Sequence, residues 1–494
     1  MADMFRGRVL WFGIAPSPEM RRELRNRRLA VTILAGAPAA DQLVAACGAV
    51  FSFDASNIGP GSALARELAP ALVDHGLRIE ILATGDGVLG RAQKALGEVT
   101  RTRDVHARTA PEPHELPERL ARHEPGPHPN TRLEIQLAGN REPISDHDIP
   151  LFQRAFYDCR KIVLSELGGG RSRARVFSVH ATLENSVAGA WPQPFFVKLD
   201  STDRIVKEAE NYRSFAPFVP FGLRPSVHGC FLGATRGLLV GDFADKSEPL
   251  WDQVRRNVAS LAISSLFETT LGGWREQAYA IDPVKGSVAV ALEQANFCVP
   301  SQIKKSYLEY ARTQDVRVTP DQLWTRIGAL DQIYRKAPMH GDLHGENVRV
   351  RNGNAILIDF ASVASGPLTA DLAALETWFA FELPPEETRD EYENPKWRTV
   401  VDRLYAPASF LHPPDPSDPT SSYCWMVSAV RQIRRLGIAV QSCSSEYEAA
   451  VAVSLLRRCM WDDGCTADRF RRAHGYVVAS RLIADLQNEN GPPS

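Results

Sequence analysis

This sequence lacks the features that would place it in a membrane, on nucleic acid or in an oxidising compartment. No uncharged apolar run is long enough to span a bilayer. The opening MADMFRGRVLWFGIAP has neither the long apolar core nor the small-residue cleavage site of a signal peptide, so a cytoplasmic location is expected. Charge nearly balances, 57 basic against 59 acidic residues for a formal net charge of −2. No basic field is left to hold nucleic acid or an anionic membrane surface, and neither is expected as a partner. Cysteine is sparse: eight in 494 residues, with no C-x-x-C, and the closest pair, Cys459 and Cys465, has no second pair to complete a zinc site. Reduced, buried thiols are expected. His106, His114, His123 and His128 lie loosely among prolines without ligand spacing. What is present is ordinary globular composition, 44% hydrophobic and 23% charged, over a length that calls for two or three domains.

Residues 1–100 alternate apolar runs with amphipathic segments: RVLWFGI, LAVTILA, AVFSFDA and LRIEILATG as strands, separated by helical patterns. Near-continuous apolar strands in that alternation predict a parallel sheet covered on both faces. The order resembles a response-regulator receiver, with Asp54 at the end of the third strand and Thr84 at the end of the fourth. The first strand ends in WFGIAPS, without the acids that hold magnesium in a receiver, and no fifth strand with a lysine is evident. Asp54 is therefore read as a strand-end residue of a degenerate receiver-like α/β domain rather than as a phosphorylation site. Residues 101–131 carry six prolines and little periodicity, which predicts a linker. LEIQLA at 133–138 fits either the first sheet or the next domain.

From Ile162 the pattern changes. A strand leads to Gly168, Gly169 and Gly170, and a second strand returns. Glycines there let backbone approach a phosphate, although strand–GGG–strand is also an ordinary hairpin. Arg171, Arg173 and Arg175 read as the solvated face of the second strand. Lys198 sits inside the apolar strand FFVKL and needs an anionic partner if buried. In the helical pattern starting at Asp203, Glu208 falls on the inward side and Glu210 away from it. A helix is expected over TPDQLWTRIGALDQIYRKA, capped by Thr319 and Gln322.

That helix leads to MHGDLHGENVRV, residues 339–350. His340 and His344 have the i, i+4 spacing of a helical zinc pair, but Gly341 and Gly345 interrupt any helix and no third nitrogen or sulfur ligand follows. NVRVRNGNAILIDF reads as a hairpin whose open end brings Asn347 toward Asp359. An amide oxygen and a carboxylate suit magnesium.

The series H-G-D-L-H-G-E-N, I-L-I-D-F and S-G-P-L-T-A-D-L-A resembles protein-kinase-like phosphotransferases of the aminoglycoside phosphotransferase and choline kinase branch. With E-x-E-N-Y upstream, it is similar to the bacterial ternary complex associated domain, a kinase-like module of signalling and conflict systems. The resemblance covers roughly 160–380. It implies an α+β two-lobed domain, with an N-lobe at 132–245 and a C-lobe with helical extension at 246–494. It also implies that Lys198, paired with Glu208, holds the ATP phosphates and that Gly168–Gly170 cover the nucleotide. Asp342 would orient or deprotonate the acceptor hydroxyl, His340 shape the loop, Asn347 and Asp359 hold magnesium, and Asp371 give structural support. The function implied is transfer of the γ-phosphoryl group of ATP to an unidentified small-molecule or protein acceptor. The alternative is a nucleotide-binding pseudokinase scaffold, with protein partners engaged through the receiver-like domain. Glu382, Glu386, Glu387, Asp390, Glu391 and Glu393 fit either attraction of a cationic acceptor or a solvated acidic surface.

Overall fold

Two groups of elements, each with its own core, emerge from the computed structural model: residues 1–209 with 226–245, and residues 210–225 with 246–494. The structure describes residues 7–43, 46–85, 87–123, 126–139, 141–167, 174–184, 191, 193–242, 244, 246–384, 394–411, 422–462 and 464–489.

The first unit begins with strands β1 (Gly7–Gly13), β2 (Leu29–Leu34), β3 (Ala46–Phe53), β4 (Arg78–Ala83) and β5 (Val105–Thr109). All pair in parallel, in the order β2-β1-β3-β4-β5. This is the flavodoxin-like doubly wound order. Every residue of β3, the central strand, is buried, as a sheet covered on both faces requires. Four helices alternate with these strands along the chain: α1 (Pro18–Asn26), α2 (Ala40–Leu43), α3 (Ile58–Asp74) and α4 (Val88–Leu96). Ser17 caps α1 by accepting the Met20 N–H.

The stretch expected to be a linker, 101–131, instead holds β5 and helix α5 (Glu115–Arg122). Leu116 and Leu120 of α5 are fully buried and pack with Val9, Trp11 and Val50. The buried Glu80 carboxylate ties the same region together: Arg78 lies at 2.8 Å, Arg108 of β5 at 3.0 Å and Arg119 of α5 at 4.0 Å. Ahead of β3, α2 is a single turn, and Ala46–Gly48 belong to the strand.

A second sheet in this unit comprises β6 (Glu134–Leu137), β7 (Cys159–Glu166), β8 (Arg175–Leu183), β9 (Phe195–Ser201), β10 (Val227–Leu232) and β11 (Arg236–Asp242), ordered β10-β11-β9-β8-β7-β6. The LEIQLA segment thus joins this sheet, pairing parallel to β7. Helix α6 (Ile149–Ala155) links the two sheets. Its buried Arg154 donates to the carbonyls of Asp74, at 3.1 Å, and Leu232, at 2.9 Å. Asp74 Oδ1 accepts the Ala234 N–H at 2.7 Å.

The second unit is helical around the segment Ala370–Phe381, all twelve residues of which are buried. The helices Cys424–Val440, Glu446–Arg458 and Thr466–Glu489 share its core. The helix expected over 319–337 has its capping box, Thr319 with Gln322, but stops at Gly328. The apolar periodicity continues into a strand, Gln332–Tyr334, paired with Val284–Gly286. Glycine's low helix propensity marks the break.

Polar groups in the central helix are paired. Glu376, fully buried, receives Arg434 Nη2 at 2.6 Å and the Tyr447 hydroxyl at 2.7 Å. Arg434 also donates to Leu404 O and to Ser409 Oγ. Removing one ion of such a pair strands the other in low dielectric, at a cost of about 3–5 kcal/mol. Arg434→Met is expected to lower the unfolding free energy of the second unit by that amount, read as a fall in its urea midpoint. The double variant with Glu376→Leu is expected to recover much of it. Equal midpoints for wild type and Arg434→Met would refute the assignment.

Candidate active site

The loop after Met339 is held from behind by one carboxylate. Asp371, at the start of the central helix, accepts the His340 N–H at 2.6 Å and the Gly341 N–H at 3.2 Å. Burial pushes the Asp371 carboxyl up from its ordinary range, against the opposing pull of His340 and the two backbone donors. His340 is itself fully buried, with Nε2 2.9 Å from Ile358 O.

The two glycines that exclude a helix here have separate reasons. Gly341 adopts φ +74°, and a Cβ there would collide with Ser362 O. A Cβ on Gly345 would enter the Trp378 ring. The histidines do not converge. His340 faces Ile358, whereas His344 stacks on Trp378 with ring centroids 5.6 Å apart. Among the described residues no three His, Cys, Asp or Glu side chains gather as a metal site.

Asp342, the part-exposed residue between the histidines, has Oδ1 2.9 Å from Arg457 Nη2 and Oδ2 3.8 Å from His344 Nε2. Burial raises its carboxyl, but Arg457, then His344, outweigh that and hold it below the usual carboxylate range. Arg457 is fixed in turn by a 3.0 Å hydrogen bond to Phe297 O and by the Phe297 ring, 4.6 Å away. The Asn347 amide nitrogen donates to Asp342 O at 2.9 Å.

Asn347 leads into the hairpin Val348–Arg351 and Asn354–Leu357, turned by Asn352 and Gly353 at φ 53° and 77°. Two positive φ values make the tight turn whose twist suits a hairpin. At the open end, Ile358 N–H donates to Asn347 O at 3.1 Å, so Asp359 follows the residue paired with Asn347. Asp359 has φ +63°, an uncommon left-handed conformation for a residue with a Cβ. Its Oδ1 accepts the Ala361 N–H at 3.2 Å. Asn211 steadies the segment by donating to Phe360 O and Ala361 O at 3.0 and 3.1 Å. The Asn347 amide oxygen and the Asp359 carboxylate are hard donors at one end of one hairpin, which fits magnesium and not zinc.

In the first unit, Lys198 Nζ lies 2.8 Å from Glu208 Oε2, with both side chains under 10% exposed. β9, between β8 and β11, carries the lysine. Helix α7 (Thr202–Phe215) carries the glutamate, while Glu210 is exposed. Gly168, Gly169, Gly170, Arg171 and Arg173 lie outside the described residues. Arg175, expected to be solvated, instead holds Glu166 at 3.0 Å and donates to Glu142 O and Pro143 O. Glu382 is paired with Arg458 at 3.0 Å. Glu386, Glu387, Asp390, Glu391 and Glu393 lie outside the described residues.

Sequence reasoning missed Arg457. It lies 115 positions from Asp342, in the last turn of a helix, where a basic residue is ordinary.

Residues 299–399 match the phosphotransferase enzyme family model (APH). The matched stretch holds the His340–Asn347 loop, Asp359 and Asp371, and is less than half of the chain. No curated protein matches the chain significantly. Among solved structures, a thermostable mutant of aminoglycoside phosphotransferase APH(4)-Ia is 14% identical, covering 67% of this chain and 95% of its own, at a TM-score of 0.39. Amicoumacin kinase hAmiN, in complex with AMP-PNP, Ca2+ and Ami, is 13% identical over 66% of this chain and 88% of its own, at 0.36. Choline kinase from Cryptosporidium parvum Iowa II is 12% identical over 67% and 89%, at 0.30.

Asp371→Ala removes the acceptor of two buried N–H groups, each worth about 1–3 kcal/mol when orphaned. Faster amide exchange at His340 and Gly341 is expected, with Asp371→Asn intermediate. Unchanged exchange in the alanine variant would count against the loop's dependence on this carboxylate.

Proposed function

We propose that the chain is a kinase-like phosphotransferase that uses ATP and magnesium to phosphorylate a hydroxyl of a small molecule or protein. The observation that carries this reading is the joint placement of Asp342 and Asn347 on a loop suspended from Asp371. The phosphotransferase family match over the same residues supports it. Within that group we favour the ternary complex associated type, working in bacterial signalling or conflict systems from the cytoplasm.

In this reading Lys198, oriented by Glu208, holds the α- and β-phosphates, and Gly168–Gly170 cover them. Asn347 Oδ1 and the Asp359 carboxylate hold magnesium, which when bound neutralises charge on the phosphates. Asp342 points the acceptor hydroxyl at the phosphorus and receives its proton. A carboxylate stabilised by Arg457 is a weak base, so Asp342 contributes chiefly by orientation. That suffices, because phosphoryl transfer depends mainly on positioning and charge stabilisation.

We read the first sheet as receiver-like and as a surface for protein partners, without phosphorylation of Asp54. Asp54 Oδ1 already accepts the Ser56 N–H, the Ser56 hydroxyl and the Asn57 N–H at 2.8, 2.6 and 3.1 Å. These bonds, with Ser56's hydroxyl the strongest influence, lower its carboxyl from the ordinary value, and residues 14–18, directly after β1, hold no acid.

Incubation with γ-labelled ATP, magnesium and fractionated cell extract tests the activity. Asp342→Ala is expected to reduce transfer by about 10²–10⁴-fold while leaving ATP-dependent thermal stabilisation intact. Lys198→Ala and Asp359→Ala are expected to weaken both. Stabilisation by ATP without any Asp342-dependent transfer would replace this reading with a nucleotide-binding module that does not turn over.

Arg457 gives a separate pH test. Asp342 must be ionised, and its folded-state carboxyl is depressed, so the wild-type rate should hold down to below the usual carboxylate range. Arg457→Met is expected to shift the acidic limb of the pH–rate profile upward. An unmoved limb would show that Arg457 does not set the ionisation of Asp342.

A further inference from the structure

The second unit contains a cavity of about 400 Å3 apart from the Asp342–Asn347 loop. That size falls within the range of small-ligand sites. Phe267, Trp274 and Leu372 contribute apolar wall. Glu268 and Glu276, both exposed, stand in the lining with Asp371, against one cation, Arg275. Asp371 is sealed behind the wall with both oxygens already accepting backbone N–H groups, so the charge offered to a guest is that of two exposed carboxylates against one guanidinium, which favours a positively charged guest.

Two further observations set this cavity apart from a packing defect. Its Phe267 and Glu268 lie on Ser265–Thr270, a π-helical turn inside a longer helical run. Such turns are rare and concentrate at functional sites, since they re-aim side chains at the expense of regular hydrogen bonding. The walls also touch the proposed chemistry. Asp371 lines the cavity and holds the N–H groups of His340 and Gly341. Trp274 meets the Phe360 ring edge-on at 6.4 Å, one residue after Asp359. Thr270, closing the π turn, donates to Ala355 O at 2.7 Å, in the strand that leads to Asp359.

We propose that this cavity is a regulatory site for a small amphiphilic cation, an apolar or aromatic body carrying a protonated amine. The body occupies the apolar wall and the amine lies between Glu268 and Glu276. Occupancy biases the His340–Asp342 loop through Asp371 and the Asp359 segment through Trp274. Because a bound guest shifts an equilibrium only by its unequal affinity for the two states, the coupling must appear as altered local opening.

The test uses the full chain without nucleotide, so its result is independent of whether the protein transfers phosphate. The probes are 1-naphthylmethylamine and its anionic counterpart 1-naphthoate, followed by ligand-observed NMR and thermal shift. The amine is expected to bind and raise the Tm, and the carboxylate to bind at least about tenfold more weakly. Leu436→Trp, which fills the cavity from a half-buried position, is expected to abolish amine binding. Should that variant fail to fold, the exposed pair Glu268→Gln with Glu276→Gln is expected to weaken the amine by about two- to tenfold. Amide exchange at residues 339–343 and 358–361 is expected to change when the amine is bound. Equal binding of the two probes, amine binding that survives Leu436→Trp or is indifferent to the glutamine pair, or unchanged exchange in both segments would overturn the proposal.

Discussion

A single carboxylate carries the candidate site. Asp371 is sealed at the head of a helix with no exposed face, and its two oxygens accept the N–H groups of His340 and Gly341. An ionised carboxylate in such a place is expensive to desolvate, so it persists only where donors converge on it. The same bonds fix the backbone of the two residues before Asp342, and Gly341 among them has a positive φ and no room for a Cβ beside Ser362 O. Asn347 then secures the other side of the loop by donating to Asp342 O. Position is transmitted along backbone here, not through long flexible side chains.

The rest of the second unit follows the same logic of satisfied buried charge. Glu376 sits on the helix that bears Asp371 and is neutralised by Arg434, which also gathers Leu404 and Ser409. An apolar residue in place of each ion would pack with less desolvation. The ionic arrangement instead joins three elements at one buried point, the central helix, the helix of Arg434 and the Leu404–Ser409 segment. Arg457 uses a different balance. It is partly exposed, rests on Phe297 and reaches Asp342 from a neighbouring helix. It tunes charge where the chemistry is proposed, whereas Arg434 locks structure.

Much of this was legible in the sequence where the signal is local. Apolar runs marked β1 to β4, and the Asn352–Gly353 pair marked the hairpin that joins Asn347 to Ile358. Helical phase distinguished Glu208 from Glu210. Where pairing is long-range, the sequence was silent or misleading. β5, with the sequence VHART, is a short edge strand whose polar residues resemble a loop among prolines, and only its contact with Glu80 explains Arg108. The helix ending at Gly328 looked longer because a strand with alternating apolar residues happened to continue its stripe. Glu382 fits a solvated acidic surface or a cation-attracting one in the sequence, since nothing near it there foretells Arg458.

The join between the two sheets of the first unit bears on how such a chain can evolve. Arg154 spans the carbonyls of Asp74 and Leu232, while Asp74 receives the Ala234 N–H and lies where a side chain on Gly233 would collide with it. Losing the first sheet would leave a buried guanidinium short of an acceptor and a hairpin tip short of its carboxylate. The proline-rich stretch before residue 131 has the composition of a linker, yet these bonds tie together the elements on either side of it. Recombination at that point would yield a damaged second sheet, so the two sheets are expected to be inherited together.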